Sequence, residues 1–308
     1  MQITPLRRWR HIVTWYSKCK LTRPSDKLPA LAGLVKELGK EVSSRYLAGI
    51  WECDLPLQLL WIDKRGPSKM IRDGSAFEPP RAPTWSWAST DTPVCYNPNI
   101  FPFGPRTIHS TVGGVDILPG GRNGEMLHSI SLRLAGPLKR TELPGPTNDS
   151  AEVVSGQLEF FQHLGVIPAS LWHRMFVDAR HLAKSEDLVL RGPGNEQYYT
   201  VSKSSHLASL EGTYLLPIVS TGPDGWGNHK IRTYGLILLP EEDGVAGRFR
   251  RVGIFQFQER REKRDGVSQD AFLSSVYPPR WADAWKQELE PRYFEEHDGN
   301  GNYTITLV

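Results

Sequence analysis

From about residue 84 onward, apolar side chains recur at every second position inside short runs bounded by Gly, Pro, Asn and Asp. Ile130, Leu132 and Leu134 alternate with Ser129, Ser131 and Arg133, which in an extended chain gives one apolar and one polar face. Thr213–Val219, Ile231–Leu239 and Arg248–Gln258 repeat the signal with β-branched and aromatic residues, as does Tyr303–Val308. Turn clusters at 119–124 and 222–225 punctuate these runs, and the Gly-rich 119–124 reads as a hairpin turn. Strands joined by loops rather than helices exclude a doubly wound parallel sheet. They predict an antiparallel β-sandwich or a partly closed barrel.

The first sixty residues follow a different period. Leu6, Trp9, Val13 and Tyr16 fall three and four apart among Arg7, Arg8 and Arg10, predicting an amphipathic helix that ends near Lys20. After a turn at Arg23-Pro24-Ser25, with Ser25 or Asp26 as cap, Leu28, Leu31, Leu34, Val35 and Leu38 mark a second helix that Gly39 should stop. A third short helix is predicted over Tyr46–Trp51, a further turn over Leu55–Trp61, and a late helix over Ala282–Leu289. The expected fold is therefore α+β and mainly β. A helical segment (1–62) and an irregular Gly/Pro-rich connection (63–83) lead into a β-rich domain (84–308), on which the helical segment packs.

Charge divides along the same line. Residues 1–50 hold 10 Lys/Arg against 3 Asp/Glu, a net of +7, and the remainder holds 27 against 31, a net of −4. A helix with one solvated basic face accounts for this without nucleic acid. No apolar run approaches the ~18 residues of a membrane span, and the charged N-terminus is unlike a secretory signal. Cys19, Cys53 and Cys95 form no CxxC and read as reduced thiols of a cytoplasmic protein, Cys53 as a small buried hydrophobe.

Familiar catalytic motifs are absent: no GxxxxGK[ST], no GxSxG, no HExxH. His163, His173, Asp178 and His181 have the donor types of a zinc or iron site and would support a metal-assisted hydrolase, but their spacing matches no ligand motif. Trp85 and Trp87 lie on one face of an extended segment. They serve either as a lectin-like stacking platform or as a buried pin between helical head and β body, and their apolar neighbours favour burial. The segment Arg248, Arg250, Arg251 and then Arg260, Arg261, Lys263, Arg264 could meet phosphates, but Arg248 and Arg250, flanking Phe249, are explained as well by charges guarding a solvated strand edge. No catalytic, cofactor-binding or metal-ligating residue is assigned on these grounds.

Three stretches carry a resemblance: LTRPSDKLPALAGLVKELGKE (Leu21–Glu41), YLAGIWECDLPLQLLW (Tyr46–Trp61) and RAPTWSWAST (Arg81–Thr90). Together they resemble the region that follows the core of fungal heterokaryon incompatibility (HET) domain proteins. Trp9, Ile12, Val13, Tyr16 and Ser17 are similar to the last helix of that core, and Tyr234–Leu238 and Arg250–Gly253 to the family's β-rich tail. The resemblance implies a role in non-self recognition between fusing hyphae, with the death-triggering activity residing in an N-terminal core that resembles the Toll/interleukin-1 receptor fold. The expectation is a truncated member lacking most of that core: a non-enzymatic regulatory module without cofactor, whose partners are proteins, such as a HET-type core or another incompatibility protein. The stripe Leu6, Trp9, Val13, Tyr16, deprived of the core, is then expected to dock elsewhere or to form an exposed apolar patch.

Overall fold

The computed structural model describes residues 4–63, 82–96, 100, 106–117, 130–140, 171–177, 212–222, 230–260 and 288–308, with backbone alone at 63, 171–177, 230 and 257–260. The chain is mainly β with a helical N-terminus. Helix α1 spans Pro5–Tyr16: Thr4 Oγ1 accepts the Arg7 N–H at 3.3 Å, and Pro5 presets the first helical dihedral. It stops four residues short of Lys20 and is capped at Ser17, whose hydroxyl accepts the Val94 N–H at 2.9 Å and ties the helix end to the strand Val94–Tyr96. Trp9 and Val13 face inward and are fully buried.

The second helical stripe resolves into two short 3-10 turns, Pro24–Lys27 and Pro29–Leu31, followed by α2, Ala32–Val42. Gly39 does not end α2. The helix runs on to Ser43, whose left-handed backbone (φ 49°) directs its N–H to the Gly39 carbonyl. Tyr46–Trp51 is not a helix but a hairpin, β1 (Tyr46–Leu47) against β2 (Ile50–Trp51), turned at Ala48-Gly49 with both φ positive. Beyond it come a 3-10 turn at Leu57–Leu59 and strand β3 (Trp61–Asp63), which pairs antiparallel with β4 (Val94–Tyr96).

The β body is one mixed sheet of ten strands among the described residues. They are β5 (Arg106–Ile108), β6 (Thr111–Ile117), β7 (Ile130–Pro137), β8 (Lys139–Arg140), β9 (Leu171–Val177), β10 (Tyr214–Thr221), β11 (Lys230–Pro240), β12 (Arg248–Arg260), β13 (Glu296–His297) and β14 (Asn302–Leu307). The main path runs β5-β10-β11-β12-β14-β7-β6. All pairings are antiparallel except β12 with β14, where Arg248 faces Thr306 and Phe249 faces Leu307. The sheet is not a closed barrel. Its ends are bridged by two bent stretches: β5 passes into β6 through His109-Ser110, and β7 into β8 through Leu138.

β7 buries every second residue, as its alternation predicts. β12, expected as an edge, is interior: β11 lies along one side and β14 and β9 along the other. The Gly-rich 119–124 lies outside the described residues, though the strands that flank it, β6 and β7, pair as a hairpin. The segment 261–287, which holds most of the late helix expected over 282–289, also lies outside them.

One apolar core is shared by head and body, from Trp9, Val13, Leu31 and Trp51 through Trp61, Trp85 and Trp87 to Leu216, Phe249 and Leu307. The stripe Leu6, Trp9, Val13, Tyr16 is thus covered by the chain itself rather than left exposed. Cys53, expected buried, is exposed on the 3-10 turn Glu52–Asp54; Cys19 is exposed, Cys95 half-buried, and all three are free thiols.

Candidate functional site

The residues that chemistry would recruit fall into four groups, three internal and one on the surface. The first is a knot of indoles around the Ala48-Gly49 turn. The Gly49 carbonyl accepts both the Trp9 indole N–H (3.1 Å) and the Trp87 indole N–H (2.7 Å). Ser86 Oγ donates to the Ala48 carbonyl at 2.5 Å, and Tyr16 packs edge-on to Trp87. Lys27, 5% exposed, donates to the Thr90 carbonyl and places its ammonium 5.3 Å from the Trp87 ring. Trp85 and Trp87 are both 0% exposed. Neither ring offers a face to a ligand, so the pair is placed as a pin and not as a platform.

The second group clamps head to sheet. Arg251, on β12, is buried with its guanidinium 3.6 Å above the Trp61 ring. Its Nε donates to the Leu59 carbonyl at 3.2 Å and its Nη2 to the Trp61 carbonyl at 2.6 Å. A cation has been desolvated here against an indole face and two carbonyl dipoles. Trp61 Nε1 in turn donates to the Trp85 carbonyl at 2.9 Å. Beside it, Thr84 N–H donates to the Val308 carbonyl at 3.1 Å, and Thr84 Oγ1 accepts the Arg251 N–H at 3.0 Å.

The third group contains the interior titratable side chains. Arg10 donates to Asp54 Oδ2, and Gln58 Nε2 donates to the same oxygen at 2.9 Å. Burial raises the Asp54 carboxyl above its ordinary value, and the Arg10 charge and Gln58 amide oppose that rise. Tyr96 is pushed up as well, chiefly by burial and then by the Asp54 charge. At the β5–β6 corner, His109 Nε2 lies 2.7 Å from Ser220 Oγ, which lies 2.6 Å from Thr233 Oγ1. Burial pushes His109 down to about 4, so the imidazole is neutral at pH 7. A serine within hydrogen-bond reach of a neutral histidine is nucleophile–base geometry. Ser220 is 0% exposed, however, with its hydroxyl held between two partners. Here the pair fastens β5 to β10 and β11.

The fourth group lies outside. Arg8 on α1 pairs with Glu41 on α2, and Tyr16 OH donates at 2.9 Å to the carbonyl of Lys27, on the first of the two 3-10 turns that precede α2. Trp15 stands about two turns beyond Arg8, and Leu34 about two turns before Glu41, on the corresponding sides of their helices. They are 67% and 48% exposed. Lys18 Nζ sits 4.1 Å from the Trp15 ring, and Arg7, Lys18, Lys20, Arg23 and Lys36 make no ion pair among the described residues.

Of the residues expected to bind metal, His163, Asp178 and His181 lie outside the described residues. His173 is described only as backbone, paired with Phe257 between β9 and β12. Among the described residues, no group of three His, Cys, Asp or Glu is placed to hold a metal ion, and no helix is long and apolar enough to cross a membrane. Sequence reasoning missed Arg251, whose charge argued for solvent, and the His109–Ser220 pair, whose members lie far apart in the chain. It also missed Trp15, for which a signal existed: an indole off the apolar stripe, among basic residues. Comparison with protein-family models, curated proteins and solved structures finds no match to this chain.

Proposed function

We propose that this chain is a non-enzymatic interaction module of the heterokaryon incompatibility class, acting in the cytoplasm through contact with another protein, a HET-type core foremost. One observation carries the reading: a helix locked into the core on one side presents, on the other, an indole 67% exposed beneath the Lys18 ammonium, which makes no ion pair among the described residues. An indole left mostly in water withholds its apolar area from the chain's own core and supplies a large contact area to a partner. The resemblance of residues 9–90 to the region following a HET core supports the choice of class, and its most specific stretches coincide with the head that bears this face.

The test is expression of the chain in hyphae with and without a HET-type core under graded induction. The chain alone leaves viability unchanged, and its presence shifts the dose of core needed to kill. Cell death from the chain alone, turnover of a dinucleotide by the purified chain, or a core dose that does not move each contradicts the proposal.

A further inference from the structure

β6 (Thr111–Ile117) ends the main strand path and, among the described residues, pairs with β7 alone. Its other edge makes no backbone hydrogen bond to a described residue, and Thr111, Gly113, Asp116 and Ile117 are exposed. We infer that this edge is a homotypic docking site: residues 113–117 pair antiparallel with the same residues of a second copy of this chain, about a twofold axis at Val115. The inference goes beyond the HET-type partner proposed above and does not depend on it.

Exposed strand edges are ordinarily guarded by Lys, Pro or a bulge, and residues 111–117 contain no Lys, Arg or Pro. The guard that is present, the extra residue Gly113 between Val112 and Gly114, bends the first half of the strand and leaves Gly114–Ile117 regular. The register of a self-pairing follows from the side each residue takes. Val112, Val115 and Ile117 stand opposite Leu134, Leu132 and Ile130, which are buried, while Gly114 and Asp116 stand opposite Arg133 and Ser131, the partly exposed residues of β7. Directly opposed residues share one side of a sheet, so the axis must set outer residues against outer ones. An axis at Gly114 fails this, because the bulge sets Val112 against Asp116. An axis at Asp116 opposes that carboxylate to its own copy, and one at Ile117 pairs nothing else within β6. An axis at Val115 sets Val115 against Val115, Gly113 against Ile117, and Asp116 against Gly114 of the second copy. Across that glycine stands Arg133 of the same copy: its Cδ lies 4.0 Å from where a Gly114 Cβ would be. Arg133 Nε and Nη2 are spent on Glu295 and Glu296, and Nη1 makes no hydrogen bond among the described residues, which leaves a donor for Asp116 of the second copy. Ile117, 52% exposed in one copy, packs over Gly113 of the other. Five residues a side extend about 17 Å, an interface of the small, concentration-dependent class.

Sedimentation velocity of the full chain from about 2 to about 200 µM reads the association, and hydrogen exchange at both concentrations reads its place. A shift from monomer to dimer is expected, with amides of residues 114–117 gaining at least about tenfold protection in the dimer. Asp116→Lys aims an ammonium at Arg133 of the second copy, and Ile117→Lys puts a charge on the edge; each should weaken association at least about tenfold, while Asp116→Glu keeps it within about threefold. Both positions are exposed, and circular dichroism checks that the variants keep the parent fold. Exchange in the parent locates the contact without any variant. A chain that stays monomeric at about 200 µM overturns the inference. So does a dimer that survives both lysine substitutions, or one that leaves exchange at 114–117 unchanged.

Discussion

Trp9 and Trp87, one on the first helix and one beyond the 64–81 connection, donate their indole N–H groups to the same acceptor, the carbonyl of Gly49. Two large side chains distant in sequence are thereby held to a single two-residue turn. The turn is buried, so this carbonyl would otherwise go unsatisfied. The head is organised around the hairpin tip, and its aromatic content is spent on the fold.

The two tryptophans of the Trp85-Ser86-Trp87 segment differ in one respect that mutation can read. Trp87 Nε1 has an acceptor at 2.7 Å, while Trp85 Nε1 is buried with no hydrogen-bond partner among the described residues. Trp87→Phe removes a bond and strands part of the Gly49 acceptor; Trp85→Phe removes an unpaired donor. Urea denaturation should show Trp87→Phe less stable than Trp85→Phe by about 1–3 kcal/mol. Equal losses would mean that the indole bond to Gly49 contributes nothing.

Two glycines of the head should respond in opposite directions. Gly49 has φ +101°, and a Cβ there would stand 2.7 Å from Trp87 Nε1, so Gly49→Ala should cost about 2–4 kcal/mol. Gly33, in the first turn of α2, has open space where a Cβ would go. Gly33→Ala should raise stability by about 0.5–1 kcal/mol through helix propensity alone. Thermal unfolding of both variants checks the pair.

Arg251 makes two side-chain bonds to head carbonyls while stacking on Trp61, a geometry that a lysine ammonium cannot reproduce. Arg251→Lys should cost about 2–4 kcal/mol in urea midpoint stability at unchanged m-value. A loss under about 0.5 kcal/mol would show that the clamp is not what joins head to sheet.

The neutral His109 gives stability a pH signature. Its pKa is about 4 in the folded chain and about 6.5 unfolded, so the unfolded state binds the extra proton between those values. Stability from this group is complete above pH 6.5, declines as pH falls through that window, and is lost below pH 4. The full difference is roughly 3 kcal/mol. His109→Gln should flatten the fall between pH 6.5 and 4 relative to the parent. An identical slope in parent and variant would mean that the imidazole charges freely in the folded chain.

Much of the sheet was readable in advance because strand periodicity is a local property: β7 alternates in sequence as it does in burial, and β10 to β12 fall where β-branched and aromatic runs predict. The 46–51 hairpin was misread for a physical reason. A helix brings Tyr46 to Ile50 and Leu47 to Trp51, whereas a two-residue hairpin pairs Tyr46 with Trp51 and Leu47 with Ile50, so the same apolar residues serve both. Ala48 at positive φ carries no Asn-Gly signal to decide between them. Arg251 was hidden because its burial depends on Trp61 and on carbonyls contributed by a segment far away in the chain. The outer side of α1 has no period of its own to mark it, because Trp15 lies off the Leu6, Trp9, Val13, Tyr16 stripe.

Head and sheet share one apolar core, which predicts that they fold as one unit and that α1, with Trp15 on its outer side, is held in place by the core beneath it. Hydrogen exchange on the full chain measures this directly. Amides of residues 9–16 and 50–51 should exchange with protection comparable to that of 234–238 and 250–255, through a common opening. Exchange of the first set within seconds, while the strands of the second stay protected for hours, would contradict it.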